Sequence, residues 1–192
     1  MQSPLGLAKT IRRVLNIKNI MRIILRPVTL NDTCILVKWR NDTNIINHCL
    51  SRACITEESN REFYKNFIET GKYKQFIVEC MVENYPMVRY PIATVYLKDI
   101  DYVNKRCELC IFTSTDTEWD PDNQSIAIKM LVEKAFNDYG MHKIYSYVFC
   151  KFPDEIELLT NAGFVMEAIL KEEAFNSEGE YEDIVRMYII KS

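Results

Sequence analysis

The stretch from Cys107 to Tyr139 most constrains what this chain can fold into. It reads CELCIFTSTDTEWDPDNQSIAIKMLVEKAFNDY. Its first six residues are β-formers that end a strand begun at Arg106. Asp120 before Pro121 is a strong helix start: an acidic N-cap, then proline at the first helical position. Ile126, Met130, Leu131 and Ala135 then recur on one face, and Ile128, Val132 and Phe136 widen it. A helix apolar over that much of its circumference packs on a sheet. A strand that feeds a loop and then a helix N-terminus is an arrangement able to hold a phosphate. Here, however, the loop carries Asp116, Glu118, Asp120 and Asp122 and no glycine.

The rest of the composition narrows the class. A length of 192 residues suits one domain with a short extension. The chain is 48% hydrophobic and 27% charged, which is ordinary for a globular protein with a full core. A net charge of -3 argues against nucleic acid as a partner, which calls for a basic surface. No apolar run reaches the roughly 18 residues of a membrane span. The seven cysteines are odd in number and irregularly spaced, as reduced thiols of a cytoplasmic protein would be. Cys107-x-x-Cys110 lacks the second pair or matched histidines of a zinc site, and its side chains point to opposite faces of a strand, so no metal is expected.

Residues 1–20 hold Lys9, Arg12, Arg13 and Lys18 and no acid, with Leu7, Ile11, Val14 and Leu15 at helical spacing. The expectation is a peripheral basic arm outside the fold. A membrane-surface helix, a targeting segment, an oligomer contact or a true start at Met21 would give the same pattern. The domain proper is expected over 21–192. Ile23 to Pro27 gives a strand, and Asn31 or Asp32 caps a helix through Arg40. Residues 43–55 read as irregular. Thr56 to Ser59 forms a capping box that opens the next helix. Strands are expected at Lys74–Val82 and Pro91–Leu97, with a turn over 84–89, so that three strands ending at Phe112 form an antiparallel meander. After the helix come strand His142–Phe149, helix Asp154–Ala162, strand Val165–Lys171 and strand Tyr181–Ile190. The strand following the helix is expected to pair in parallel. The order β-α-α-β-β-β-α-β-α-β-β is an α+β architecture with one mixed, mostly antiparallel sheet and flanking helices.

That order resembles the GNAT superfamily of N-acetyltransferases, over about Arg22 to Lys191. The phrases that carry the resemblance are Leu25-Arg26-Pro27, Trp39-Arg40-Asn41-Asp42, Ile92 to Leu97, Cys107 to Ile111, Ala127 to Leu131, Ala135-Phe136 and Ala162-Gly163-Phe164. The pattern is most similar to the Rim-type branch, which acetylates ribosomal-protein N-termini or nucleotide-linked amino sugars. The resemblance implies acetyl transfer from acetyl-CoA to an amine of a small molecule, such as an amino sugar, or of a protein N-terminus. It implies a soluble cytoplasmic enzyme and leaves room for a homodimer. Glu108 matches the strand carboxylate that acts as general base on the amine; its other role is a sheet-face acid paired with a nearby cation. Leu109, Cys110, Ile111 and Phe112 match the backbone that lines thioester and pantetheine. Trp119, Asp120, Asp122, Asn123, Gln124 and Ser125 match the pyrophosphate loop. Trp39, Arg40 and His48 lie where an acceptor would bind.

The departures are specific. The family loop, Q/R-x-x-G-x-G/A, places its glycines on Asp120 and Asp122. A carboxylate about 4 Å from a phosphate repels it by roughly 4 kcal/mol at an effective dielectric near 20. A helix terminus returns only about 0.3–2 kcal/mol. Asp120 as N-cap would itself occupy the anion position. The helix tyrosine that serves as general acid in the family aligns with Leu159. Tyr145, Tyr147 and Tyr181 remain as other proton donors. A rival function follows: a GNAT-fold binding or regulatory module that has lost coenzyme binding. His48 reads first as a solvated loop histidine and second as a substrate contact, and Arg40 as a helix C-terminal cation or as a bidentate partner for an anionic acceptor.

Overall fold

The computed structural model describes residues 21–82, 85–112, 119–176 and 179–191. The loop acids Asp116 and Glu118 and the arm 1–20 lie outside the described residues. Strand β1 (Met21–Pro27) is followed by a 3-10 turn (Leu30–Asp32) and helices α1 (Thr33–Arg40), α2 (Thr43–Ile46) and α3 (Glu57–Phe63), the last continuing as a π-helical turn, Tyr64–Ile68. Then come β2 (Lys74–Val82), β3 (Tyr85–Asp101), β4 (Arg106–Phe112), α4 (Pro121–Asn137), β5 (Lys143–Phe149), α5 (Pro153–Asn161), β6 (Val165–Phe175) and β7 (Tyr181–Ile190).

The strands form one seven-stranded sheet in the order β1-β2-β3-β4-β5-β7-β6. Only β4 and β5 are parallel neighbours. α4 separates those two strands in sequence, as a parallel crossover requires. Its Ala127, Ile128, Leu131 and Ala135 are fully buried in the main core with Val95, Leu97, Cys107 and Leu109. α1 covers the sheet elsewhere, where Leu36 and Trp39 cluster with Val28 and Ile77. None of the described helices is long and apolar enough to cross a membrane.

Four local expectations are corrected. Asp32 does not cap α1: its carboxylate takes the Thr29 amide at 2.8 Å and a bidentate grip from Arg26 at 2.8 and 2.9 Å. A buried acid at the end of β1 is claimed by the nearest fork-shaped cation. Residues 43–46 are helical rather than irregular, because Asp42 caps α2 through the Asn44 amide at 2.9 Å. The expected turn over 84–89 is strand from Tyr85 onward. Register shifts at Val78/Glu79 and Met81/Val82 fall where Pro91 and Pro86 would otherwise break the ladder. β6 runs past Lys171 to Phe175 by a second irregularity, with Glu172 left-handed at φ 54°.

Candidate active site

β4 alternates. Cys107 and Leu109 face the α4 core, while Glu108, Cys110 and Phe112 face α1 and α3. On that second face, Lys98 of β3 stands opposite Glu108 and Tyr96 opposite Cys110. The other edge of β4 is covered only at its start. β5 pairs with Arg106, Cys107 and Glu108, and beyond Tyr145 it keeps company with β7 alone. The two parallel strands therefore part after Glu108, leaving Leu109–Phe112 without a strand neighbour on that edge among the described residues.

A cavity of about 480 Å³ opens at this parting. Leu109, Cys110, Ile111 and Phe112 line it from β4, Ser146, Tyr147 and Val148 from β5, and Leu158 and Leu159 from α5. Arg40, His48, Cys49, Ser51 and Ile55 close it from the segment after α1, and Phe63, Tyr73 and Tyr96 add rings. That volume suits a small acceptor together with the reacting end of a donor.

Glu108 is 5% exposed and lines this cavity. Lys98 Nζ lies 3.1 Å from its Oε1, and the Cys110 thiol donates to the same oxygen at 3.0 Å. Both described contacts fall on Oε1, so Oε2 is the oxygen left for a ligand. Thus Glu108 has the nearby cation of a sheet-face acid and also the reach of a base. Burial would pull Lys98 down, but the neighbouring Cys110 and Glu108 outweigh it and hold its ammonium above the usual range. Burial, reinforced by Glu108, pushes the Cys110 thiol well up, so it stays protonated as a donor. Burial likewise raises Tyr96 far above an ordinary phenol.

The remaining expected residues divide. Arg40 and His48 line the cavity. His48 is not a freely solvated loop residue: Nδ1 meets Glu155 Oε1 at 2.6 Å and the ring stacks on Phe152 at 3.8 Å. Trp39 does not reach the cavity. It belongs to the Val28–Leu36–Ile77 cluster, since the inward stripe of α1 is needed for the core. At the α4 end only Gln124 lines the cavity, and its amide donates to the Trp119 carbonyl at 2.9 Å. Trp119 is buried, and its indole N–H has no partner among the described residues. Asp120 accepts the Asn123 amide at 2.8 Å and so caps its own helix; Asp122, Asn123 and Ser125 stand in the first turns behind it.

Among the tyrosines, Tyr147 lines the cavity, Tyr145 pairs with Glu108 across the strands, and Tyr181 is 65% exposed. Burial and then Glu108 push Tyr145 up to about 12. Leu159, in the family's tyrosine position, is 3% exposed and cannot donate a proton. Lys98, Cys110 as a partner of Glu108, and Glu155 were not singled out from sequence. The first was within reach, because the register of a meander sets Lys98 opposite Glu108. Glu155 is brought in by tertiary packing and left no local signal.

No family model matches the chain. Over 171 residues it is 26% identical to the spermidine N(1)-acetyltransferase of Vibrio cholerae, covering 89% of this chain and 94% of that protein. The crystal structure of the spermidine N-acetyltransferase from Vibrio cholerae, in complex with CoA and spermine, superposes with a TM-score of 0.77 at 25% identity, over 88% of this chain and 95% of that one. A mutant of the Vibrio cholerae enzyme gives 0.73 at 26% identity, over 87% and 94%. The mixed, mostly antiparallel sheet with flanking helices is common to them, and the chain has the fold of the GNAT N-acetyltransferases.

Proposed function

We propose that the chain is an acetyl-CoA-dependent N-acetyltransferase whose acceptor is a primary amine of the polyamine class. The observation that carries the reading is Glu108, buried on the cavity at the point where β4 and β5 part. An amine attacks a thioester only when neutral, and alkyl amines are protonated near pH 7. Glu108, with Oε2 unengaged, takes that proton as general base. Main-chain N–H groups of Leu109–Phe112, uncovered by β5, are suited to polarise the thioester carbonyl. Tyr147, across the parting, is the proton donor for the departing thiolate in place of the family tyrosine.

Polyamine is favoured because the relatives above act on spermidine, and because Glu108, Glu155 and the rings of Tyr73, Tyr96 and Tyr147 face the same cavity. The amino-sugar and protein N-terminal acceptors suggested by sequence find no support in those relatives. The donor fits along β4. It fits less well at α4, where Asp120 holds an amide that a phosphate would use. That contact keeps a second reading alive, a module without coenzyme binding. Calorimetry with acetyl-CoA, followed by an acetyl-transfer assay on spermidine, separates the two. Binding and turnover are expected; no heat at millimolar acetyl-CoA would sink the enzyme reading and leave the module.

A further inference from the structure

The cavity holds one charge that acetyl transfer does not use. Arg40, at the end of α1, is 6% exposed. Its Nη2 donates to the Ser51 carbonyl. Its guanidinium carbon lies 5.4 Å from the centroid of the Phe112 ring. Its Nη1 is buried and has no hydrogen-bond partner among the described residues. No carboxylate pairs with it among the described residues, because the two acids of the cavity are engaged elsewhere, Glu108 by Lys98 and Glu155 by His48.

This arrangement is costly. A guanidinium cannot shed its proton to escape burial, as a lysine can. The α1 C-terminus and the ring face temper the charge, but neither accepts the Nη1 hydrogens. A buried cation with an idle donor, on the wall of a cavity, is complete only when a ligand brings the acid.

We propose that Arg40 is an anion subsite of the acceptor cavity, and that the amines accepted include chains ending in a carboxylate or phosphate. The inference rests on the acetyl-transfer reading and widens its acceptor class beyond polyamines. β4 supplies the ruler. Glu108 and Phe112 share one face four residues apart, about 13 Å. An amine at Glu108 and an acid at Arg40 are therefore separated by on the order of 10 Å. An α-amino acid, with both groups on one carbon, is too short to engage both. A flexible chain of five or six carbons reaches. A polyamine lies the other way, its distal ammonium toward Glu155, whose partner is a histidine rather than a permanent cation.

The test compares acceptors of one length: 6-aminohexanoate, its phosphate-ended counterpart 5-aminopentyl phosphate, and hexylamine, which has no acid. Calorimetry on the full chain is expected to show at least one acid-ended amine binding about tenfold or more tighter than hexylamine. Whichever acid binds tighter names the natural group. Arg40→Gln is expected to erase the preference, and Arg40→Lys, which keeps charge without the fork, to retain part of it. The same ratio is expected in kcat/KM. Equal binding of all three by the wild-type chain overturns the subsite, and so does a preference that persists in a folded Arg40→Gln protein. Acetylation of spermidine with no acid preference defeats the subsite alone. Acid preference without any acetyl transfer defeats the enzyme reading alone.

Discussion

The two ends of the Cys107–Tyr139 stretch each present a carboxylate, and the two acids are held in opposite ways. Glu108 sits in the sheet, 5% exposed, on the wall of the cavity, with Lys98 and Cys110 both on one oxygen and no described contact on the other. Asp120 sits on the surface at the start of α4 and spends its carboxylate on the Asn123 amide of its own helix. An acid's chemistry depends on what occupies its lone pairs. Strand register leaves Glu108 with one oxygen free, whereas helix capping directs Asp120 inward to the chain. On the proposed reading, the donor's thioester end meets a prepared site, and its phosphate end meets a helix terminus that has satisfied itself.

The largest expected effect tests the prepared end. Glu108→Gln keeps the shape and removes the base, so kcat/KM for the amine is expected to fall by about 10²–10⁴. Acetyl-CoA affinity is expected to hold, because the side chain lies on the acceptor face of β4. Stopped-time acetylation and calorimetry on the same protein check both halves. A variant that acetylates at the wild-type rate would reduce Glu108 to a partner for Lys98, and the contrast between the two acids would lapse.

The next effect tests the self-satisfied end. Asn caps a helix about as well as Asp, so Asp120→Asn should leave α4 and the melting temperature in place while removing one negative charge. At about 4 Å a carboxylate repels a phosphate by about 1 kcal/mol in bulk dielectric and about 4 at an effective dielectric near 20. CoA affinity is therefore expected to rise by roughly fivefold to several hundredfold. Unchanged affinity would mean that the phosphates pass elsewhere, and that the missing glycines cost this chain nothing.

What was legible in the sequence followed from local rules. The cap Asp120, proline at the first turn, and the stripe Ala127–Ile128–Leu131 gave α4, and β4 and the Thr56 capping box were equally local. Glu108 was singled out by the resemblance to the family's strand carboxylate, and strand alternation turns it away from the α4 core. Trp39 misled: on a helix the same aromatic can serve core or cavity, and only the position of Ile77 across the sheet decides. β3 misled through Pro86, which reads as a turn residue until a register shift against β2 accommodates it. The Glu155–His48 contact joins residues 107 apart in sequence, and no pattern within either segment announces it.

The smallest effect concerns the cation that separates the two acids, for among the described residues Glu108 has Lys98 and Asp120 has the Asn123 amide. Lys98 is held above its ordinary range, so in the folded chain it binds its proton more tightly than when unfolded. Its stabilising contribution is whole below about pH 10.4 and is lost only as pH rises through the folded value. Across the neutral range the ammonium therefore keeps its place 3.1 Å from Glu108 Oε1. Lys98→Met removes that contact from Oε1, and kcat/KM for the amine is expected to fall by about threefold to tenfold as the base sits less firmly. An unchanged kcat/KM would show that Cys110 and the strand alone hold Glu108 in position.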